Sequence, residues 1–200
     1  MENKVILFDL GGVLVELTGV RKMMKWLPKQ VTEDELWEIW LTSDAVRKFE
    51  TGKCEPNEFA EEIIAEMKLA VLPDEFLKHF ESWVSGTYTG VHTLLKTLKK
   101  DYTIALLSNT NIIHWNKVIK EMEIAELFDH LFLSFETRML KPDKETFSFI
   151  LKEMKCEPAD VIFLDDNIIN VRSARFAGIT SYTAKGLNQA ESILENIGIL

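Results

Sequence analysis

The stretch that decides the fold is residues 5–13, which read VILFDLGGV. Four consecutive large apolar residues, Val5 to Phe8, are typical of a strand that is buried on both faces of a parallel sheet. Asp9 follows this run directly, and the glycines after it indicate a turn. The stretch therefore predicts a buried strand that brings a carboxylate to one edge of a sheet.

Further apolar runs along the chain have the same form. They lie at residues 104–107 before Ser108, at 131–133 before Ser134, at 161–164 before Asp165 and, more weakly, at 179–182. Helical apolar spacing separates the later runs, as in Phe147, Ile150 and Met154. Strands that alternate with helices predict an α/β fold, with a Rossmann-like parallel sheet flanked by helices.

Residues 16–86 show no strand pattern. Residues 32–35 read TEDE and predict a capping box that opens a helix, and Pro56 and Pro73 each predict a further helix start. Several helices after the first strand are far longer than a usual crossover. We expect a small all-helical cap at 16–86, inserted into a core domain of residues 1–15 and 87–200. Its aromatic residues are expected to form the core of the cap.

Composition narrows the function classes. The 200 residues carry 23 Lys and Arg against 32 Asp and Glu, a net charge of −9, which argues against nucleic acid or an anionic membrane as a partner. Apolar runs of about five residues are far below the roughly 20 of a membrane helix, and the N-terminal run is too short for a signal peptide. Cys54 and Cys156 form no metal or disulfide motif, which favours a reducing cytoplasm. We expect a monomer or a homodimer.

Polar residues follow the predicted strands. They are Asp9 after the first, Ser108 and Asn109 after the second, Lys141 in the loop after the third, and Asp165 and Asp166 after the fourth. Ligands of open parallel sheets bind at the carboxyl ends of the strands, so these groups are expected to meet. Three carboxylates together require a compensating cation, and a set of oxygen ligands favours Mg²⁺. A hydroxyl and an ammonium beside a metal suit a phosphoryl group.

Four segments resemble, in order, the motifs of the haloacid dehalogenase superfamily. They read FDLGGV at 8–13, LSNTN at 107–111, LKP at 140–142 and FLDDN at 163–167. The helical insert is similar to the helical cap of that superfamily. Within it, the chain most resembles bacterial sugar phosphate phosphatases of the glucose 1-phosphate type. The resemblance implies a Mg²⁺-dependent phosphatase that acts on a small phosphorylated metabolite, with a sugar phosphate as the expected substrate.

The resemblance also implies roles for single residues. Asp9 would be the nucleophile that forms an aspartyl phosphate, with Ser108 and Lys141 as the other catalytic residues. The implied metal ligands are Asp9, the Gly11 carbonyl, Asp166 and, directly or through water, Asp165. The implied substrate-binding residues are Ser108, Asn109, Lys141 and Gly12.

One position departs from the family pattern. Most phosphatases of the family carry a second Asp two residues after the nucleophile, where it protonates the leaving group, and here that residue is Gly11. Loss of a general acid and base typically costs about 10²–10⁴ in rate. Three interpretations stay open: water or another carboxylate substitutes, the leaving group needs little protonation, or the protein is a weakly active phosphate-binding or regulatory protein.

Two other reactions of the superfamily are alternatives. A 2-haloacid dehalogenase also begins with carboxylate attack but needs no metal, and the adjacent Asp165 and Asp166 argue against it because they would repel the charge on Asp9. A phosphoglucomutase-like transfer usually needs the acid and base residue that Gly11 replaces.

Substrate choice is expected to lie in the cap. Residues 49–55 read FETGKCE and predict a polar turn that faces the site. Lys53 in this turn is a candidate to bind the substrate, and Arg47 is a second candidate. At the other end of the site, Asn167 is expected to cap the helix that follows the two aspartates.

Overall fold

A five-stranded parallel sheet forms the centre of the computed structural model, which describes residues 4–200 except the side chains of residues 20, 21 and 34. The spatial order of its strands is β5-β4-β1-β6-β7. Their bounds are β1 Val5–Phe8, β4 Thr103–Ser108, β5 His130–Leu133, β6 Val161–Asp165 and β7 Thr180–Thr183. Every neighbouring pair is parallel. The sheet confirms all five predicted strands, including the weak fifth.

The central strand β1 is buried on both faces, as its continuous apolar run predicts. Val5 and Leu7 pack into one apolar cluster, and Ile6 and Phe8 pack into another on the opposite face. Ile6, Leu7 and Phe8 are each 0% exposed. Burial of such a side chain contributes about 1.5–3 kcal/mol to stability, so β1 anchors the fold.

Helices cover both faces of the sheet. One face packs against α9 (Lys144–Met154) and α10 (Ile168–Phe176). The other packs against α6 (Val91–Leu98), α7 (Ile112–Lys117) and α11 (Leu187–Asn196). A short helix, α8, spans Ser134–Thr137 after β5. The predicted arrangement of a parallel sheet between two helical layers is confirmed.

The insert after β1 contains the short helix α1 (Val20–Met23) and four longer ones. These are α2 (Glu33–Thr42), α3 (Asp44–Glu50), α4 (Pro56–Met67) and α5 (Pro73–Glu81). The capping box at Thr32 and Glu35 is present, and both prolines occupy a first helical turn, as predicted. Among residues 4–200, no helix is both long and apolar enough to cross a membrane.

Aromatic side chains build the interior of the cap. Phe49 and Phe59 stack with ring centroids 4.3 Å apart, and Phe76 and Phe80 stack at 5.7 Å. All four rings are buried within a single apolar cluster. These aromatic side chains are therefore core residues of the insert.

A two-stranded antiparallel ribbon joins the insert to the sheet domain. It pairs β2 (Val15–Leu17) with β3 (Val84–Thr87), so the expectation of no strand within 16–86 is wrong at both ends of that segment. These strands are three and four residues long, and in each of them only the first residue is buried. Strands this short show no alternation of apolar and polar residues from which a strand could be predicted. We propose that core and cap meet at this ribbon, since the buried cluster of the insert runs from Met23 to Trp83.

Three contacts seat the cap on the core. Arg47 of α3 pairs with Asp143 at 2.5 Å. Gly52 has a positive φ of 63°, and a Cβ there would overlap the Phe135 carbonyl oxygen of α8. The third contact joins His114 of α7 to Phe80 of α5, where Nε2 of the imidazole donates to the carbonyl oxygen at 2.8 Å. These contacts combine charge, backbone packing and a partly buried hydrogen bond.

The third contact predicts a pH-dependent stability. Burial lowers the pKa of His114 from 6.5 to about 4, against the opposing effect of its bond to Phe80. The unfolded chain therefore binds the proton first, and this residue's contribution to stability is lost as pH falls from 6.5 toward 4. His114→Gln can still donate but does not titrate. We therefore compare the free energy of unfolding of the wild type with that of this variant. The difference, wild type minus variant, should fall by about 3 kcal/mol as the pH falls from 6.5 to about 4. A pH-independent difference in denaturant titrations contradicts the assignment.

Candidate active site

Three adjacent strands bring the polar residues together. β1 lies between β4 and β6, and Phe8 is in register with Leu106 on one side and Leu164 on the other. Asp9 therefore leaves the sheet beside the ends of both neighbours, and its backbone N–H donates to the Leu164 carbonyl at 2.8 Å. Ser108 ends β4 and Asp165 ends β6. The parallel topology thus places a hydroxyl and two carboxylates at one edge.

A buried ammonium group holds two of the carboxylates. Nζ of Lys141 donates to Oδ1 of Asp9 and to Oδ2 of Asp165, both at 2.7 Å. Lys141 is 4% exposed. Burial alone would lower the pKa of this amine, but the charges of Asp165 and Asp9 raise it overall. The cation therefore stays charged and offsets the repulsion between the two acids.

The backbone of Lys141 is fixed by Asn109, which follows β4. The Asn109 amide donates to the Lys141 carbonyl at 2.9 Å, and its Oδ1 accepts from the Lys141 backbone N–H at 2.9 Å. The peptide bond that follows, to Pro142, is cis. The sequence predicts Asn109 as a substrate-binding residue. That role stays a prediction, and the structure shows in addition that its side chain positions Lys141.

Asp165 is completely buried and fully engaged. Beside the ammonium, its Oδ1 accepts from the backbone N–H of Asn167 at 2.8 Å, and both of its oxygens accept from the Asn170 amide at 3.0 Å. Asn167 also caps α10 by accepting from the backbone N–H of Ile169, as predicted. Sequence reasoning missed Asn170. The one feature of the sequence that indicates a role for Asn170 is its place in the first turn of the helix that follows the aspartates.

Asp166 lies at the edge of the site, partly exposed to the cavity described below. Next to it Gly12 has a φ of 75°, and a Cβ on Gly12 would overlap the Asp166 carboxylate. A glycine is therefore required here for two reasons, its backbone conformation and the approach of the acid. Gly12 and Asp166 both line a second cavity beside the main one.

The acids of the site are harder to ionise than usual. Burial raises the pKa of Asp9 to about 7, and the charges of Asp165 and Asp166 add to this effect against that of Lys141. Burial likewise raises the pKa of Asp166 to about 6, with Asp165 as the next cause. A cation bound between these groups would remove that penalty, because it favours their charged forms.

The donor set fits a hard divalent ion. Asp9, Asp165 and Asp166 each offer an oxygen, and the three oxygens lie within 4.8 Å of one another. Carboxylate oxygens are the ligands that Mg²⁺ prefers. Because Lys141, Asn167 and Asn170 already engage Asp165, we expect Asp9 and Asp166 to be the direct ligands. The metal role of the Gly11 carbonyl stays a prediction.

A cavity of about 640 Å³ lies between this cluster and the cap. The predicted residues that line it are Asp9, Gly11, Ser108, Asn109, Lys141 and Asp166. Side chains of α2, α3 and α5 form the opposite wall. The cavity therefore opens directly above the carboxylates and is closed by the insert.

The cap turn presents a different residue to the cavity from the one that the sequence predicts. Lys53 is exposed and does not line the cavity, and Arg47 is engaged with Asp143 outside it. Glu50, the last residue of α3, lines the cavity instead. The chain turns away after Glu50 through Gly52, and that turn carries Lys53 outward. Burial raises the pKa of Glu50 to about 8, with Lys141 opposing and Asp9 adding to the shift.

Comparison with known families agrees with this geometry. The model of the haloacid dehalogenase-like hydrolases matches residues 3–178. The chain belongs to this family. The resemblance of its four motifs is thereby confirmed, and all four lie within the matched segment.

Several relatives cover most of the chain. A sesquiterpene phosphatase of Aspergillus oryzae is 27% identical over 95% of this chain and 91% of its own length. A D-ribitol-5-phosphate phosphatase of Bacteroides thetaiotaomicron is 24% identical over 90% of each chain. Another match is to part of a longer protein, since the chain spans 21% of the length of a drimenol cyclase of Aspergillus calidoustus.

A solved structure shares the whole architecture. A HAD family enzyme of Bacteroides thetaiotaomicron, in complex with magnesium and inorganic phosphate, aligns with a TM-score of 0.74 and 30% identity. The alignment covers 92% of this chain and 94% of that one. That enzyme therefore holds both ions on a similar fold.

The geometry predicts that Asp166 dominates metal affinity. We expect Asp166→Asn to weaken Mg²⁺ binding by at least about tenfold, the loss that removal of an outer-shell partner can already produce. Isothermal titration of the purified protein with MgCl₂ measures this. Asp101→Asn, an exposed acid before the opposite end of β4 from Ser108, is the control. Equal affinity in the wild type and in Asp166→Asn contradicts the proposed ligand.

Proposed function

We propose that the protein is a Mg²⁺-dependent phosphatase that hydrolyses phosphate monoesters of small alcohols through an aspartyl phosphate on Asp9. The observation that carries this proposal is the double ion pair of Lys141 with Asp9 and Asp165, at 2.7 Å each, at the base of the cavity. It presents a buried carboxylate, a fixed cation and a neighbouring serine to a ligand that enters from the cap side. Such a set recognises and attacks a phosphoryl group.

In the first half of the reaction, an oxygen of Asp9 attacks phosphorus and the bond to the alcohol oxygen breaks. Lys141 keeps the other Asp9 oxygen in place and pairs with a phosphoryl oxygen, and the Ser108 hydroxyl donates to another. When bound by Asp9 and Asp166, Mg²⁺ supplies positive charge that offsets the charge of the phosphoryl group. The leaving alcohol takes up one proton.

In the second half, a water molecule attacks phosphorus and loses a proton. The bond from phosphorus to Asp9 breaks, which restores the carboxylate and releases inorganic phosphate. The water and leaving-group protons need an acid and base, and Gly11 has no side chain that could serve. Fixed partners around Asp9 preorganise the site for both halves.

The relatives support phosphate monoesters but differ in the alcohol that they release. One is a sesquiterpene phosphatase and another is a D-ribitol-5-phosphate phosphatase. Sesquiterpenes are apolar, whereas D-ribitol 5-phosphate is the phosphate of a polyol. The sugar phosphate that the sequence resemblance implies therefore stays a prediction. We also propose a cytoplasmic location, which the free thiols Cys54 and Cys156 support.

Asp9→Asn is expected to abolish turnover and leave the fold intact, because an amide is no nucleophile but has the shape of the acid. Release of inorganic phosphate from p-nitrophenyl phosphate, with Mg²⁺ and with chelator, measures this. Asp101→Asn serves as the matched control and should behave as wild type. Metal-dependent activity in Asp9→Asn near that of the wild type contradicts the role of Asp9.

A further inference from the structure

The cavity has a polar floor and an apolar wall. The floor consists of the carboxylates, Lys141 and Ser108 described above. The wall on the side of the cap and the ribbon is mostly apolar and also carries Glu33 and Glu50. Its apolar members are Leu17, Trp37, Trp40, Leu41, Phe80, Trp83 and Val84, with Ile168 opposite. Since phosphate would occupy the floor, this wall would face the leaving group.

Part of this wall is exposed in a way that packing does not explain. Leu17 is 40% exposed, Leu41 is 55% exposed and Ile168 is 42% exposed, and all three line the same cavity. They come from β2, α2 and α10, so three separate elements turn large apolar side chains toward one space. Clustered exposed apolar surface usually marks a binding site.

Two polar side chains of the wall, Trp83 and His114, are already engaged. Trp83 donates its indole N–H to Nδ1 of His79 at 3.1 Å. His114 donates from Nε2 to the Phe80 carbonyl, and its Nδ1 lies 3.2 Å from the Asn111 amide. These groups cannot also serve the hydroxyls of a polyol, and an unpaired buried hydroxyl costs roughly 1–3 kcal/mol.

The charges of the wall disfavour an anionic leaving group. Its described acidic members are Glu33 and Glu50, both from the cap. Of the described residues that line the cavity, Lys141 and Lys185 are cationic, and both belong to the core. Lys141 pairs with two aspartates, and Lys185 lies close enough to Asp166 to lower its pKa. Among the described residues that line the cavity, a carboxylate on the leaving group would therefore meet Glu33 and no cation of the cap.

We propose that this wall is a subsite for an uncharged, largely apolar alcohol, so that the substrate is an alkyl or isoprenoid-like phosphate monoester. The proposal rests on the proposed phosphatase function and adds the class of leaving group. It differs from the sugar phosphate that the sequence resemblance implies. A chain of several carbons against Trp37, Leu41 and Leu17 would bury apolar surface on both partners.

Steady-state phosphate release from three probes tests the subsite. We expect kcat/KM for n-hexyl phosphate to exceed that for D-ribitol 5-phosphate and for 2-phosphoglycolate by at least about tenfold. Leu41→Asn should reduce kcat/KM for hexyl phosphate about tenfold and barely change that for ribitol phosphate. Ile39→Asn is the matched control, because Ile39 lies on the same helix, is 39% exposed and does not line the cavity.

The outcomes separate the two proposals. A preference for ribitol phosphate or phosphoglycolate, or equal losses in Leu41→Asn and Ile39→Asn, overturns the apolar subsite and leaves the phosphatase proposal standing. No Asp9-dependent release from p-nitrophenyl phosphate or from any of the three probes overturns the phosphatase proposal itself.

A separate observation concerns the acid that Gly11 lacks. Glu50 lines the cavity together with Asp9, Gly11 and Lys141, and it approaches from the cap. The ion pair of Arg47 and the packing of Gly52 on Phe135 hold its helix end against the core. Glu50 therefore occupies a fixed place across the cavity from the nucleophile.

From this placement we infer that Glu50 is the general acid and base of the reaction. Its carboxyl gives a proton to the alcohol oxygen as the phosphorus–oxygen bond breaks. The resulting carboxylate takes a proton from the water that attacks the aspartyl phosphate, which returns Glu50 to its starting state. Burial, which raises the pKa of Glu50 to about 8, supports a protonated starting state at neutral pH.

Leaving groups of different basicity test this role. Glu50→Gln should lose about 10²-fold in kcat/KM on hexyl phosphate but little in kcat/KM on p-nitrophenyl phosphate, whose phenolate departs without a proton, because kcat/KM does not include the later attack of water. Adding Gly11→Asp should restore part of the loss, since a Cβ there meets only the flexible end of Leu17, at 2.9 Å. Glu61→Gln, on the exposed surface of the cap, is the control. Equal losses of Glu50→Gln on both substrates contradict the acid role.

Discussion

The buried ion pairs of Lys141 are the interaction on which the site depends. One ammonium group, 4% exposed, lies 2.7 Å from Asp9 and 2.7 Å from Asp165. Without it, two carboxylates would be buried side by side next to Asp166, and at least one would be neutral. Removal of one partner from such a buried set typically costs about 3–5 kcal/mol. The ammonium group of Lys141 therefore joins the ends of the strands and also favours the charged form of Asp9.

The fold supplies each partner from a different element. Asp9 follows β1, Asp165 ends β6, and Lys141 lies in a loop that Asn109 fixes to the end of β4. The sheet is continuous across these strands, so the floor of the cavity is rigid. The opposite wall comes from the insert, which touches the core through Arg47, Gly52 and His114. In the proposed reaction, the strand ends carry the catalytic residues and the helices above them select the leaving group.

Much of this arrangement could be predicted from the sequence, because it depends on local pattern. A continuous apolar run such as 5–8 has few readings other than a buried strand, and parallel strands bring their carboxyl ends to one edge. The ribbon of β2 and β3 could not be read, since its strands are too short to alternate. Glu50 was missed in favour of Lys53 because the direction of a turn depends on tertiary packing, here Gly52 against Phe135. The side chains of Asn109 and Asn170 serve partners 32 and 5 residues away, which no local spacing reveals.

The most direct test of the account is detection of the covalent intermediate. A single turnover of excess enzyme with p-nitrophenyl phosphate and Mg²⁺, quenched in acid and digested, is analysed by peptide mass spectrometry. The account predicts one added phosphoryl group, located at Asp9 and absent from Asp9→Asn. Turnover with no phosphorylated peptide at any quench time, or with the group on another residue, contradicts the assignment of Asp9 as the nucleophile.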